Sequence, residues 1–284
     1  MKHAYLIIAH DEFEVLQHLI DALDDARNDI FVHIDKKVKQ LPYLSSKCSQ
    51  LYMIENRIDV RWGDISQIRC EYSLFEEAFV MGKYERFHLI SGTHLPLKTQ
   101  HELHEFFKNI SDKELISSIY TNSYEANFKL GIYHYFIRNY RSQNSFLRKF
   151  IQLLWLLMVR IQLILNIHRN TDMFTQKASN WASLTSAAVE YVLCQKEHVM
   201  TRFCRTFCGD EFFIPYLLNQ EKDKFDIMDD KYWLYHDFHG SNPRLLKSGD
   251  FEFLIHSDYL FARKFSSSDM AVVNKLTDYL KNKR

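Results

Sequence analysis

A β-strand, an α-helix and a second β-strand follow one another within the first 35 residues. Residues 5–9 are an apolar run of strand length, residues 14–26 carry apolar side chains at helical spacing, and residues 30–35 form another strand-like run. Parallel strands need a crossover connection of this kind, so the pattern predicts a βαβ unit. We therefore expect an α/β fold built on a mostly parallel sheet.

The next segments extend this prediction. We expect a third strand, a second helix and a fourth strand over residues 51–54, 65–81 and 86–91. Ligands of such folds collect at the carboxyl ends of the strands, where this sequence places His10, Asp35 and His94. No glycine-rich phosphate-binding loop follows the first strand, which removes the main support for a dinucleotide or ATP site of the usual kind.

Length and composition indicate one globular domain. With 284 residues, 46% of them hydrophobic and only four prolines, the chain can bury a large core, which excludes intrinsic disorder. No linker-like stretch or internal repeat divides it, so we expect a single domain over residues 1–284.

Charge and cysteine content narrow the class further. The 36 basic and 36 acidic residues leave no net charge, so the broad positive field of a nucleic-acid-binding protein is missing and no nucleic-acid partner is expected. The five cysteines form no Cys-x-x-Cys pair, which favours reduced thiols. Because no targeting segment is visible, we expect a cytoplasmic location.

Residues 150–167 are mostly apolar and approach the length of a membrane span. Polar residues occupy one half of the helical wheel, and Arg160 in mid-span would cost about 2.5–3.5 kcal/mol to insert, so we predict an amphipathic helix. Two interpretations stay open: the helix packs on the protein body, or it lies in a membrane interface. The cations that favour the second are Arg148, Lys149, Arg160 and Arg169.

Four short segments carry residues suited to chemistry. Metal-dependent sugar-nucleotide enzymes often place Asp-x-Asp after a strand, but here the sequence is Asp35-Lys36-Lys37, so we expect no metal. The pair Arg263-Lys264, with Arg244 upstream, could bind phosphate, although such a pair is usually a solvated surface feature.

The segment at residues 208–213 contains Asp210 and Glu211 before an apolar helical run. Asp210 is predicted to start that helix, while Glu211 is a candidate general base. The pair Asn180-Trp181 lies in a polar turn before another predicted helix, where a tryptophan is more often core than site.

Taken together and in order, these segments resemble the core-2/I-branching N-acetylglucosaminyltransferases and the peptide O-xylosyltransferases, which are inverting, metal-independent glycosyltransferases of GT-A fold. The resemblance covers nearly the whole chain. The segments that carry it are residues 5–10, 32–36, 61–66, 89–92, 96–99, 179–185, 190–193, 210–213 and 260–265.

The resemblance implies a role for each matching residue. Those implied to bind the nucleotide sugar are Ala9, His10, Asp35, Arg57, Arg61, Asn180, Trp181, Arg244, Arg263 and Lys264. Glu211 matches the family's catalytic base, and His94 and Glu102 lie where the acceptor is contacted. His94 replaces the family's usual Asp, and Asp64 replaces the second Gly of its Trp-Gly-Gly segment.

The resemblance also implies an activity. It is transfer of a sugar, first of all N-acetylglucosamine, from a UDP-sugar to a hydroxyl of a glycan or lipid-linked oligosaccharide, without a cofactor. A nucleotide-binding half would span about residues 1–115 and a catalytic half about residues 116–284. The alternatives are a UDP-xylose or other UDP-hexose transferase, a glycoside hydrolase, and a non-catalytic scaffold in polysaccharide assembly. The lack of an animal-type anchor suggests a bacterial member, with peripheral inner-membrane contact through residues 148–169.

Overall fold

The computed structural model describes residues 2–172, 176–229, 232–239 and 242–283. The strands of this part of the chain are β1 (His3–Ala9), β2 (Asn28–Ile34), β3 (Gln50–Met53), β4 (Arg86–Ser91), β5 (Leu95–Pro96), β6 (Lys113–Ile119), β7 (Lys177–Thr185), β8 (Asp226–Asp229), β9 (Leu234–Tyr235), β10 (Phe238–His239), β11 (Asn242–Pro243) and β12 (Phe261–Ala262).

The helices surround a central sheet. They are α1 (Phe13–Leu23), α2 (Ser66–Met81), α3 (Gln100–Asn109), α4 (Ser123–Leu130), α5 (Ser145–Ile164), α6 (Ser186–Cys194), α7 (Lys196–Phe203), α8 (Phe213–Gln220), α9 (Phe251–His256) and α10 (Met270–Asn282). Helix α1 packs against α10, and α2 packs against β1, β2 and α6.

Seven strands form the main sheet in the order β3-β2-β1-β4-β7-β6-β8. The first four of these run parallel, while β7 lies antiparallel between β4 and β6. This confirms the expected α/β fold with a mostly parallel sheet. All residues of β2 and β4 are buried, including polar ones such as His33 and His88, as expected for strands covered on both faces.

Helix α1 is shorter than its periodicity predicts, because it ends at Leu23 instead of continuing to residue 26. Asp24 has extended backbone, and its carboxylate accepts the backbone N–H groups of Lys47, Cys48 and Ser49 at 2.8–2.9 Å. A helix that continued would break these long-range hydrogen bonds.

Two close approaches bring the ends of the strands together. A Cβ at Gly92, after β4, would lie 2.8 Å from the Cβ of Ala9 at the end of β1, so only glycine fits between the two strands. The short strand β12 pairs with β5 and β9, which carries Arg263 and Lys264 toward the same region.

Helix α5 does not bury its apolar side. Gln162 is buried and bonds both the N–H and the carbonyl of Tyr133, whereas Phe146, Leu153 and Ile164 are 81%, 64% and 81% exposed. The helix therefore packs on the body through the side that carries Gln162, while most of its apolar half stays exposed. In the described part of the chain, no helix combines the length and apolar character that a membrane crossing needs.

Candidate active site

A cleft of about 530 Å³ opens at the carboxyl ends of β1, β2 and β4. This volume lies within the range of small-molecule sites, and the position is the one expected for an open α/β sheet. The predicted residues that line it are Ala9, His10, Asp35, Asn180, Trp181, Glu211, Arg263 and Lys264. Segments more than 200 residues apart in the chain therefore meet at one place.

Asp35 is held by the lysine two residues after it. The Lys37 Nζ lies 2.6 Å from Asp35 Oδ2, and the Lys37 N–H donates to Asp35 Oδ1 at 2.8 Å. Lys37 Nζ also donates to the carbonyl of Val60 and lies 3.3 Å from Asp59. In an Asp-x-Asp motif, the position of Lys37 would carry the second aspartate. Here the ammonium group of Lys37 lies against Asp35 instead.

The basic side of the cleft is built by Arg263 and Lys264. The Arg263 guanidinium lies over the Trp181 ring at 5.1 Å, and its Nε is buried without a hydrogen-bond partner in the part of the chain that the structure describes. Burial lowers the pKa of Arg263 to about 10, which leaves it charged at neutral pH. Among the described residues, no carboxylate forms an ion pair with either side chain. A half-buried cation of this kind is suited to an anionic ligand.

Glu211 belongs to a network of four charges. Its Oε2 lies 2.8 Å from Lys129 Nζ and 3.5 Å from Lys177 Nζ, and both lysines lie 3.0 Å from Glu125. Burial works to lower the pKa of Lys129, but the Glu211 carboxylate outweighs it and raises that pKa above its usual range. The two ammonium groups therefore fix the orientation of the Glu211 carboxylate at the cleft.

Asp210 does not start a helix, so that prediction is wrong. It lies in a 3₁₀ turn (Gly209–Glu211), and α8 begins after Phe212 without a side-chain cap. Its carboxylate is buried and accepts a hydrogen bond from Gln67 Nε2 at 2.7 Å. Burial, followed by the charge of Glu211, raises the pKa of Asp210 to about 7.

Three of the implied phosphate- or uridine-binding arginines do not line the cleft. Arg57 Nη1 donates to the carbonyls of Asp35 and Val38, so it supports the turn after β2. Arg61 is ion-paired with Asp59 at 2.8 Å. Both arginines therefore bind acceptors in neighbouring loops and do not extend into the cleft.

Arg244 is the third of these. Its guanidinium is bound by Asp237 at 2.8 Å and, through two nitrogens, by Asp250 at 2.8 and 2.9 Å. Two carboxylates therefore already neutralise its charge, although its neighbours Pro243 and Leu245 line the cleft. In this arrangement Arg244 supports the wall of the cleft and does not itself line it.

Neither implied acceptor residue lines the cleft. His94 is buried behind Trp181, with ring centroids 5.1 Å apart, and its Nδ1 accepts the N–H of Ser91 at 3.1 Å. Glu102 forms the capping box of α3 with Thr99 and pairs with Lys283 at 2.7 Å. The spacing of Glu102 is thus explained by helix capping, and His94 acts as support for Trp181.

The structure adds cleft residues that the sequence interpretation missed: Lys37, Trp62, Gln67, Glu71, Thr93, Arg141 and Asp210. Gln67 and Glu71 are four apart on α2, which places both on one helical face. Gly63 precedes them at φ +74, and a Cβ there would lie 2.8 Å from the Phe207 ring. The Trp-Gly turn before a helix was the signal that could have located this face.

The cleft at the strand ends thus holds a lysine-bound carboxylate and a basic pair, which are groups suited to the transfer of an anionic substrate's group. The family model of the Core-2/I-Branching enzyme matches residues 3–244, and the chain belongs to this family. It is a glycosyltransferase, as the sequence resemblance implied, and the observed sheet agrees with the GT-A fold expected of it.

Solved structures show only distant similarity. Mouse xyloside xylosyltransferase 1 is 9% identical over 92% of this chain and 96% of its own, with a TM-score of 0.42. A 4-diphosphocytidyl-2C-methyl-D-erythritol synthase from Anaerococcus prevotii is 8% identical over 99% of both chains, with a TM-score of 0.39. With scores this low, these likenesses carry no weight in assigning the function. No curated protein matches the chain in sequence.

Proposed function

We propose that this glycosyltransferase moves a sugar from a UDP-sugar to a hydroxyl of a glycan acceptor, with inversion at the anomeric carbon. The observation that carries the proposal is the cation pair Arg263 and Lys264, which lines the cleft without an ion-pair partner among the described carboxylates. A diphosphate leaving group would supply the missing negative charge.

In this mechanism Glu211 is the general base. It takes the proton of the acceptor hydroxyl while the hydroxyl oxygen bonds to the anomeric carbon, and the bond from that carbon to the UDP oxygen breaks with its electron pair remaining on UDP. Arg263 and Lys264 stabilise the charge that develops on UDP. Lys129 and Lys177 are positioning residues, because they orient Glu211.

N-acetylglucosamine is the sugar we propose first, with xylose or another UDP-hexose as the alternative. A glycoside hydrolase would use a pair of carboxyl groups, and Asp210 and Glu211 both line the cleft. That activity leaves Arg263 and Lys264 without a function, so we favour the transferase. A non-catalytic scaffold would leave Glu211 without a function as well.

Thermal-shift measurements with UDP, UDP-sugars and free oligosaccharides distinguish these functions. A ligand that binds the native state raises Tm, so UDP should stabilise a transferase even without an attached sugar. Stabilisation by oligosaccharides only would instead support a hydrolase, and no stabilisation by any of them would support a scaffold. Among UDP-sugars, the one with the largest shift identifies the donor to test in turnover assays.

Replacing Arg263 and Lys264 by Met should weaken UDP binding far more than uridine binding, since uridine has no phosphate. Each lost charge-assisted hydrogen bond corresponds to about 1.5–3 kcal/mol, or roughly 10–100-fold in Kd. Calorimetric titration of both ligands provides the comparison. Arg244→Met is the matched control, because its charge is already bound by Asp237 and Asp250, and it should leave UDP affinity nearly unchanged. Equal losses for UDP and uridine would contradict the assignment.

We further propose that catalysis needs no metal, because Lys37 already holds Asp35, the carboxylate to which a cation would bind. Turnover should therefore be unchanged in excess EDTA. The assay is initial rate with and without chelator, followed by addition of Mn²⁺ or Mg²⁺. Loss of activity that either cation restores would show that a metal displaces Lys37 from Asp35.

The exposed side of α5 supports a peripheral membrane contact at an anionic surface. Phe150, Leu153 and Leu157 are exposed on this helix, and the cations Lys149 and Arg160 are exposed beside them. Apolar side chains next to cations suit an anionic lipid surface, where each cation contributes on the order of 1 kcal/mol. A lipid-linked acceptor would be reached from such a position.

Sedimentation with anionic vesicles tests this contact. Wild type should bind at low salt and be released at high salt, and binding should weaken when Arg148, Lys149 and Arg160 are changed to Gln, while turnover of a short water-soluble acceptor stays the same. Vesicles of neutral lipid are the control. Absence of binding at low salt would contradict the membrane contact. Concentration-dependent dimers that the charge changes do not affect would indicate that a second protein copy covers α5 instead.

A further inference from the structure

The floor of the cleft contains buried polar atoms that form no well-aligned hydrogen bond with any described residue. Glu71 Oε1 and Oε2, Asp210 Oδ1, Trp181 Nε1 and Arg263 Nε are all buried without a hydrogen-bond partner. All four residues line the same cleft, although they come from α2, β7, a 3₁₀ turn and the segment after β12. Unpaired buried polar atoms are rare in native proteins, so this concentration needs an explanation.

Glu71 is the most unusual member. It is completely buried and has no well-formed hydrogen bond, although the Asn180 side chain approaches it. Burial, followed by the nearby Asp210, raises the pKa of Glu71 well above its usual range. Burial therefore favours the protonated form of the Glu71 carboxyl, a form that can donate a hydrogen bond as well as accept one.

The unpaired atoms include both kinds of hydrogen-bonding group. Trp181 Nε1 and Arg263 Nε are donors, whereas Asp210 Oδ1 is an acceptor and Glu71 offers both functions. An anion could satisfy only the donors and a cation only the acceptors. A hydroxyl group donates and accepts at once, and a sugar ring carries several hydroxyls on a rigid frame, so a sugar matches the whole set.

We propose that Glu71, together with Asp210, Trp181 and Arg263, forms the subsite that binds the hydroxyl groups of the transferred sugar, and that Glu71 determines which sugar is accepted. This inference rests on the proposed UDP-sugar transferase function. The arrangement separates two tasks: Lys264 and the Arg263 charge bind the diphosphate, while the floor of the cleft selects the sugar.

Such a subsite carries a cost in stability when it is empty. An unpaired buried carboxyl destabilises the folded state, and an apolar side chain of similar size would remove that penalty. Replacing Glu71 by Leu should therefore leave Tm equal to wild type or higher, while sugar binding is impaired. A purely structural role would give the opposite result, a lower Tm.

Calorimetric titration of UDP and of the best-binding UDP-sugar tests the proposal. Glu71→Leu should raise Kd for the UDP-sugar about 10–100-fold and leave Kd for UDP unchanged. Glu71→Gln keeps hydrogen-bonding groups in place and should lose less. Glu77→Gln is the matched control, because Glu77 is exposed on the same helix, and it should affect neither ligand.

UDP-sugars that each lack one hydroxyl locate the contact. For wild type, removal of the hydroxyl bound by Glu71 should weaken binding, and in Glu71→Leu the same removal should have little further effect, because the partner is already gone. If Glu71→Leu does not fold, the same comparison is made with Glu71→Gln, whose ranking of these sugars should differ from that of wild type.

Equal losses for UDP and UDP-sugar, or an unchanged ranking of the sugars, would overturn the role of Glu71 while leaving the transferase function intact. Failure of wild type to bind any UDP-sugar would overturn the proposed function and this inference with it. The two failures are therefore distinguishable.

Discussion

Replacing Glu211 by Gln should lower kcat by about 10²–10⁴-fold while UDP affinity stays the same. The carboxylate of Glu211 lies 2.8 Å from Lys129, and an amide of the same shape can keep part of this contact but cannot take a proton from an acceptor hydroxyl. Single-turnover rates, together with calorimetric titration of UDP, separate the lost chemistry from any lost binding.

Glu125→Gln is the control for this result. Glu125 is bound to the same two lysines but does not line the cleft, so its loss disturbs the charge network without removing the base. We expect less than about a tenfold change in kcat. Similar losses in both variants would mean that the network, and not proton transfer to Glu211, is responsible. Unchanged turnover in a folded Glu211→Gln variant would exclude it as the base.

The free energy of unfolding should fall as the pH drops below about 6.5. His3, His88 and His104 are buried together, with His3 Nδ1 3.0 Å from His88 Nε2 and the rings of His3 and His104 4.1 Å apart. Burial, followed by the neighbouring His104, lowers the pKa of His3 to about 2, and burial lowers that of His104 to about 4. The pKa of His88 also lies well below its usual value.

The direction follows from proton binding. Below pH 6.5 the unfolded chain protonates these histidines, whereas the folded protein keeps them neutral, so each contributes about 1.4 kcal/mol of lost stability per pH unit between the two pKa values. The further histidines whose pKa is lowered by burial are His33, His94, His134 and His236. Glu71, Glu114 and Asp210 act in the opposite direction, since burial raises their pKa, but the histidines outnumber them.

Urea unfolding at pH values from 8 to 5 measures this effect. His256→Gln is the control, because His256 is exposed at the end of α9, and the variant should show the same pH dependence as wild type. Stability that stays constant between pH 7 and 5.5 would show that the histidines become protonated without unfolding.

The sequence by itself determined the parts of this protein that depend on local pattern. Short apolar-rich runs located β1, β2 and β4, and helical spacing located α2, because strands buried on both faces of a sheet are rich in apolar residues. The segments that carry the resemblance identified the family and eight of the residues that line the cleft, including Glu211 and Arg263.

Only the tertiary structure decided which charged side chains remain available. Arg244 looked as suitable in sequence as Arg263, but Asp237 and Asp250 pair with it. Glu102 looked as suitable as Glu211 and both pair with lysines, but only Glu211 lines the cleft, and these positions are set by packing. The sequence also did not determine which side of α5 contacts the body of the protein. Periodicity shows that a helix has two different faces, but the hydrogen bonds of Gln162 with Tyr133 decide which face is buried.

Glu71 shows the same limit at the floor of the cleft. A glutamate within a helix reads as solvent-exposed in sequence, yet here it is buried at the cleft by the packing of α2 against the sheet. The cost of burying a carboxyl depends on which neighbours surround it, and those neighbours are distant in the chain. The local pattern therefore fixed the framework and the candidate residues, while long-range packing decided which of them face the cleft.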